Sequence, residues 1–157
     1  MKRNYVAVQE ADFVVQEEIE RLRQIAGDVG AIVTFTGLVR EFHRDSDSVQ
    51  GVEELFLEHY PGMTEKRMEE ITAQAMERWQ LLGCCAIHRV GSLQPGDQIV
   101  LVLTASSHRQ AAFSAAEFIM DYLKSKAPFW KRQRDGTTTE WITQRESDHD
   151  ALERWLP

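Results

Sequence analysis

Apolar residues recur along this chain with two periods. Between residues 13 and 25, Val15, Ile19, Leu22 and Ile25 fall three or four apart, which predicts a helix with Asp12 as its cap. A second helix is predicted after Thr64, with Met68, Ile71, Ala75 and Trp79 on its inner face. A third runs from Arg109 to Leu123, with Phe113, Ala116, Ile119 and Leu123 on one face. Pro128 lacks an N–H and clashes with the preceding turn, so that helix stops at or before Ala127.

Strand patterns fill the gaps. They cover Tyr5 to Val8, Ala31 to Val39, Val52 to His59, Cys84 to Val90 and Ile99 to Ala105. Ala31 to Val39 reads as largely buried. Ile99 to Ala105 is the most apolar and the candidate for a central strand. Glu41 to Gln50 is polar and is expected to be a mobile loop. Asp135-Gly136 separates two short extended runs, a hairpin signal over about 129–142. Ser147 can cap a last helical turn near Trp155. Strands and helices in this order predict a mixed α+β fold around one sheet, within one domain spanning 1–157 that ends in the hairpin and a tail.

Composition narrows the function. With 43% hydrophobic and 27% charged residues, the 157-residue chain has the balance of a globular protein. No apolar run reaches the ~20 residues that span a bilayer, and the N-terminus has no signal-peptide core, so a cytoplasmic location is expected. A net charge of −7 argues against broad nucleic-acid binding but leaves room for a focused anion pocket. Cys84 and Cys85 are adjacent on a strand, so they point to opposite faces and are expected not to pair. No zinc motif, phosphate loop or nucleophile elbow is present, so neither a metal nor a cofactor is expected.

Three constellations can carry chemistry. Arg40 ends a strand beside a polar loop, where its guanidinium could fork onto a phosphate or carboxylate or simply lie in solvent. Ser106-Ser107-His108-Arg109 opens the third helix, where free N–H groups favour an anion; ordinary capping by Ser107 is the alternative. Lys124, Lys126 and Lys131 gather around Pro128. Lys124 or Lys131 could serve as nucleophile or general base, or the cations could merely complement the helix dipole. The dipole role suits Lys126 and suits Lys131 poorly, since Lys131 lies past the proline among aromatics. Glu58 and His59 are neighbours on a strand, face opposite sides and are not expected to act as a pair.

These readings allow a small enzyme acting on an anionic metabolite, or an adaptor whose basic groove takes an acidic tail. RNA binding is the weakest reading, given the charge.

Several of these stretches resemble a known family. Val33-Thr34-Phe35-Thr36-Gly37, Leu57-Glu58-His59-Tyr60-Pro61-Gly62-Met63-Thr64-Glu65-Lys66, Ile87-His88-Arg89-Val90-Gly91, Pro95-Gly96-Asp97, His108-Arg109, and Phe118 to Lys124 through Trp130-Lys131 are similar to the molybdopterin synthase catalytic (large) subunit. The likeness runs in order from about Gly30 to about Ser147. It implies an α/β hammerhead fold with an additional antiparallel β subdomain, and a homodimer. Each end of the dimer would bind a small ubiquitin-like sulfur-carrier subunit, giving a heterotetramer. The carrier's thiocarboxylated Gly-Gly tail would supply two sulfurs to cyclic pyranopterin monophosphate, forming the dithiolene of molybdopterin. By motif position the resemblance makes Lys124 and Lys131 catalytic. It makes Arg40, His108, Arg109 and Arg145 substrate-binding, with Phe35 and Met120 lining the pocket. Cys84-Cys85 is outside the family's motifs and is not expected to be a sulfur source.

Overall fold

A computed structural model describes residues 3–40, 42–45, 48–51, 54–127, 129–134, 139–142 and 152–156. The chain runs β1 (Asn4–Gln9), α1 (Val15–Ala26), β2 (Ala31–Leu38), β3 (Phe42–Asp45), β4 (Ser48–Gly51), β5 (Glu54–His59) and α2 (Met63–Arg78). It continues through β6 (Gly83–Arg89), β7 (Gly91–Leu93), β8 (Gln98–Ser106), α3 (Arg109–Lys126), β9 (Phe129–Arg134) and β10 (Thr139–Ile142).

The single sheet expected from the pattern is replaced, among the described residues, by three. One is a four-stranded sheet in the order β1-β6-β8-β2. A second, antiparallel sheet has the order β10-β9-β5-β7, and β3 pairs with β4 alone. This is α+β architecture: a helix-covered mixed sheet with an added antiparallel subdomain.

Strand β8 explains the layering. Every residue from Val100 to Ser106 is buried, because both faces of the sheet are covered. Val100 and Val102 pack with Cys84 and Ala86 under α2 and α3. Leu101, Leu103 and Ala105 pack with Cys85 and Ile87 under α1, through Leu22 and Ala26. Alternation along one strand thus feeds two cores. The Thr104 hydroxyl, buried among them, donates to the Ala112 carbonyl at 2.7 Å and ties β8 to α3. A third cluster, Val39, Leu55, Leu57, Val90 and Leu93, joins the antiparallel sheet to the main one.

Several local expectations change. Ala31 to Val39 is apolar but β2 is an edge strand, with Phe35 and Leu38 exposed. Phe113, expected on the inner face of α3, is 58% exposed; the buried stripe runs instead through Ala112, Ala115, Ala116, Phe118, Ile119 and Leu123. Within the stretch expected to be a loop, Phe42–Asp45 and Ser48–Gly51 pair as strands. β7 was too short to show a period. The predicted capping residues also do other work. Asp12 accepts from Phe13 N–H and Gln98 Nε2, each at 2.8 Å, before α1 begins. The Thr64 hydroxyl accepts from Tyr60 N–H at 3.2 Å, and the Glu65 carboxylate takes the Gly62 N–H at 2.7 Å at the head of α2. At α3 the Ser106 hydroxyl, not that of Ser107, accepts from His108 N–H at 3.2 Å. Ser147 lies outside the described residues.

Candidate active site

Two residues connect β8 to α3, so the helix folds straight back over its own strand. Its C-terminal turn therefore lies toward the Gln98 end of β8. Strand β2 finishes at the same end, since Leu38 pairs with Gln98. Val39 then closes two backbone bonds with the 94–97 turn, donating to Asp97 O and accepting from Gly96 N–H, both at 2.9 Å. Its side chain is buried. Arg40 is thereby held at the end of a fixed strand with its own side chain in solvent.

Phe129 is where the elements meet. Its ring packs against both the α2–α3 core and the cluster containing Val39 and Leu57. It also stacks on His88, with ring centroids 3.8 Å apart. His88 is held by its Nδ1, which donates to the Arg89 carbonyl at 2.8 Å. Three candidate cations are close chain neighbours of residues at this junction. Lys124 is exposed and follows Leu123, whose side chain lies in the same core as Phe129. Lys131 is two residues along β9 from Phe129, in register with Leu57. Arg40 follows Val39.

The two apolar candidates both lie on the α3 side of the main sheet. Met120 is half-buried and lies one turn before Lys124, on one flank of α3. Phe35 is 42% exposed on the α3 face of β2, opposite Val102. Its ring leans along the strand toward Gly37, where a Cβ would stand 3.5 Å from Phe35 Cε1 and 2.6 Å from Val100 Cγ1. The contact with the ring is ordinary, and it is Val100 that requires glycine there.

His108 and Arg109 stand apart from this group. Both are exposed at the N-terminus of α3. Fifteen residues at 1.5 Å per residue put Arg109 about 22 Å from Lys124 along the helix. Within one copy the two sets do not meet. Arg145 lies outside the described residues.

The remaining candidates divide clearly. His59 Nε2 is 3.7 Å from Glu65 Oε1, while Glu58 is exposed. Glu58 and His59 therefore do not form a pair. Cys84 and Cys85 are both buried, on opposite faces of β6. Burial pushes the Cys85 thiol up to about 12, with the nearby Glu18 carboxylate adding to it. Burial also drives Cys84 upward, and its thiol lies 4.0 Å from the Thr72 carbonyl, to which it donates. Neither forms a thiolate readily. No cluster of His, Cys, Asp and Glu among the described residues could hold a metal ion. Sequence reasoning passed over a groove beside the lysines, lined by Tyr60, Pro61, Met63, Arg67 and Lys126. Exposed tyrosine and methionine beside a Pro-Gly turn were its only signal, because its walls come together from β5, α2 and α3.

The chain is similar to several known proteins. The family model described as MoaE protein matches residues 8–126. The molybdopterin synthase catalytic subunit of Vibrio cholerae is 53% identical over 150 residues, covering 96% of this chain and 97% of that protein. The molybdopterin biosynthesis MoaE protein from Burkholderia ambifaria superposes with a TM-score of 0.82 at 42% identity, covering 97% of each chain. The crystal structure of molybdopterin synthase from Staphylococcus aureus gives 0.74 at 29% identity, covering 91% of this chain and 98% of that one. With half its residues identical to such a relative over nearly its whole length, this chain belongs to the MoaE family of molybdopterin synthase catalytic subunits.

Proposed function

We propose that this protein builds the dithiolene of molybdopterin. It takes two sulfurs, one at a time, from the thiocarboxylated C-terminus of a small ubiquitin-like carrier subunit and adds them to cyclic pyranopterin monophosphate. The observation that carries this reading is the junction at Phe129. Leu123 and Val39 share apolar clusters with Phe129, and Lys124, Arg40 and Lys131 follow these three by one or two residues, which supports a cationic pocket in a chain of net charge −7. Substrate phosphate and carrier tail are both anionic, and a local cationic pocket concentrates both. The single domain over 1–157 would act in the cytoplasm, and no helix among the described residues is long and apolar enough to cross a membrane.

Each residue has a part in the chemistry. Arg40 binds an anionic group through its planar fork. Phe35 and Met120 wall the pocket with apolar surface and leave a slim passage, which a Gly-Gly tail can thread. Attack of the thiocarboxylate sulfur on the pterin side chain requires proton transfers and opening of the cyclic phosphate, and water then cleaves the acyl–sulfur bond, leaving sulfur on the pterin and the carrier as a carboxylate. Lys124 and Lys131 hold the anions while charged and move protons when neutral. His108 and Arg109 stand too far away to serve the same pocket in one copy. In a homodimer the second copy's pair would complete it, with Arg145 joining the anion-binding set.

The direct test is incubation with the cyclic pterin and thiocarboxylated carrier, followed by mass analysis of the pterin. Gain of two sulfurs is the expected result. Tight carrier binding with no change in the pterin would make the protein an adaptor instead.

A further inference from the structure

His88 and Arg89 close β6, an interior strand of the main sheet, and neither belongs to the assigned set. The His88 backbone is gripped from both sides, in register with Val8 on β1 and Val100 on β8. Its half-buried ring is gripped as well, because Nδ1 donates to the Arg89 carbonyl at 2.8 Å. Arg89 is itself anchored. Its guanidinium donates twice to the Glu10 carbonyl, at 3.0 and 2.9 Å, and once to the Gln98 carbonyl at 3.0 Å. Only 13% of that side chain is exposed. His88 thus presents a flat ring held rigidly by the main sheet. It lies on the face of Cys84 and Ala86, which α2 and α3 cover.

That ring meets the other sheet. Phe129 opens β9 of the antiparallel sheet and lies on His88 with centroids 3.8 Å and planes 22° apart. Only two residues separate α3 from β9, and Phe129 N–H donates to the Ala127 carbonyl at 2.9 Å. Lys124 precedes Phe129 by five residues and Lys131 follows it by two. Phe129 is therefore where the chain leaving one lysine becomes the strand of the other. Aliphatic residues of the junction, such as Val39 and Leu57, supply burial without direction, which tolerates sliding. Stacked rings prefer a particular offset and plane, so the stack fixes the place of Phe129 as well as covering it.

We infer that His88 is a positioning residue for sulfur transfer: through its stack on Phe129 it sets where β9 begins, and so the place of Lys131 relative to Lys124. This rests on the reading of those lysines as catalytic, and it names what holds them in step. Misplacing a reacting group by about 1 Å can cost about a hundredfold in rate. A ring that prevents such a shift governs the rate without touching substrate. The role requires a flat ring at position 88 and no proton transfer from it.

The test uses the full-length protein with thiocarboxylated carrier and cyclic pterin. Single-turnover sulfur transfer is measured with both at saturation, and affinities and melting temperatures are measured separately. His88→Ala should transfer sulfur about ten- to a hundredfold more slowly, with both affinities within about twofold of the parent's. His88→Phe, which keeps a flat ring, should restore most of the rate. His88→Asn, which can keep the bond to the Arg89 carbonyl but has no ring, should not. On a Phe129→Leu background, His88→Ala should cost less than about twofold more, because the stack is already gone. Ile87→Val, on the opposite face of β6, should lower the melting temperature and leave the rate unchanged, which separates the effect from a general loss of stability. A parental rate in His88→Ala overturns the inference. A folded but inactive His88→Phe also overturns it, and makes the imidazole a chemical participant. Losses that multiply in the double variant overturn it too. Should Lys131→Ala turn over like the parent, the lysine reading fails, while the double-variant comparison still decides whether the stack controls the rate.

Discussion

Trp155 donates its indole N–H to Asp121 Oδ2 at 2.6 Å, one turn of α3 before Lys124. The same oxygen accepts from Arg154 at 2.6 Å. The Trp155 ring stands edge-on to Trp79 and Phe118, at 5.6 and 5.7 Å between centroids. The end of the chain is thus stapled to the helix that presents a candidate catalytic lysine. Trp155→Ala should cost about 2–3 kcal/mol, since it loses aromatic packing and leaves Asp121 short of a donor. Arg154→Ala should cost under about 1 kcal/mol, because that pair is largely solvated. Denaturant titration of both variants checks the ranking.

Lys124→Ala and Lys131→Ala should each lower product formation by at least about a hundredfold, the scale of losing a positioned proton carrier. Lys124 is exposed and off the buried stripe of α3, so its replacement should leave the melting temperature nearly unchanged. Wild-type turnover in both folded variants would reject the assignment.

Arg40→Ala and Arg109→Ala should each weaken binding of pterin or carrier tail about ten- to a hundredfold, the loss of one charge-assisted contact. Their placement makes a sharper test possible. With pterin and carrier well below saturation, Lys124→Ala and Arg109→Ala proteins are each expected to retain at most about a tenth of parental activity alone. Mixed and allowed to exchange subunits, they should recover roughly a quarter of parental activity, because half the dimers are mixed and each carries one intact shared pocket. No recovery despite demonstrated exchange would place both residues in separate roles.

Cys84→Ser and Cys85→Ser should retain sulfur transfer with a modest loss of stability from placing a hydroxyl in a core. The buried thiols also predict a pH effect. Unfolded thiols ionise above about pH 8.5 while the native ones stay protonated. The native state then binds more protons, so stability should fall as pH rises from roughly 8.5 toward 12, by up to about 1.4 kcal/mol per pH unit for each thiol. Replacing both cysteines should flatten that slope. A folded double variant that binds carrier yet forms no dithiolene would make the thiols chemical participants.

Gly30→Ala should be among the most damaging small substitutions. A Cβ at Gly30 would stand 2.0 Å from the Ser107 carbonyl oxygen, and Gly30 N–H donates to Ser106 O at 3.0 Å. The clash is with backbone, so the turn that carries His108 and Arg109 must shift. Anion affinity should fall together with a lower melting temperature.

The sequence by itself determined the elements whose apolar residues repeat over several turns or fill a whole strand. The three helices, the central place of β8 and the division of Cys84 from Cys85 follow from periodicity alone, because burial on one face or two leaves a direct mark on residue choice. It also marked Lys124 and Lys131 around Pro128, since a proline dictates where a helix ends. Tertiary structure decided what periodicity cannot register. An apolar strand reads alike at the centre or the edge of a sheet, so only pairing showed that β2 lies at the edge with Phe35 exposed. Serine, threonine and aspartate advertise helix starts, but the geometry of the entering chain chose which group took each N–H. Arg40 was legible as an arginine at a strand end. Its place at the same end of the sheet as the last turn of α3 depended on α3 folding back over β8, which brings one end of a helix to the end of a strand more than eighty residues earlier. That same fold-back sends His108 and Arg109 to the opposite end, about 22 Å away by helix rise. No local pattern encodes that separation, because it arises from how rigid elements of fixed length pack together.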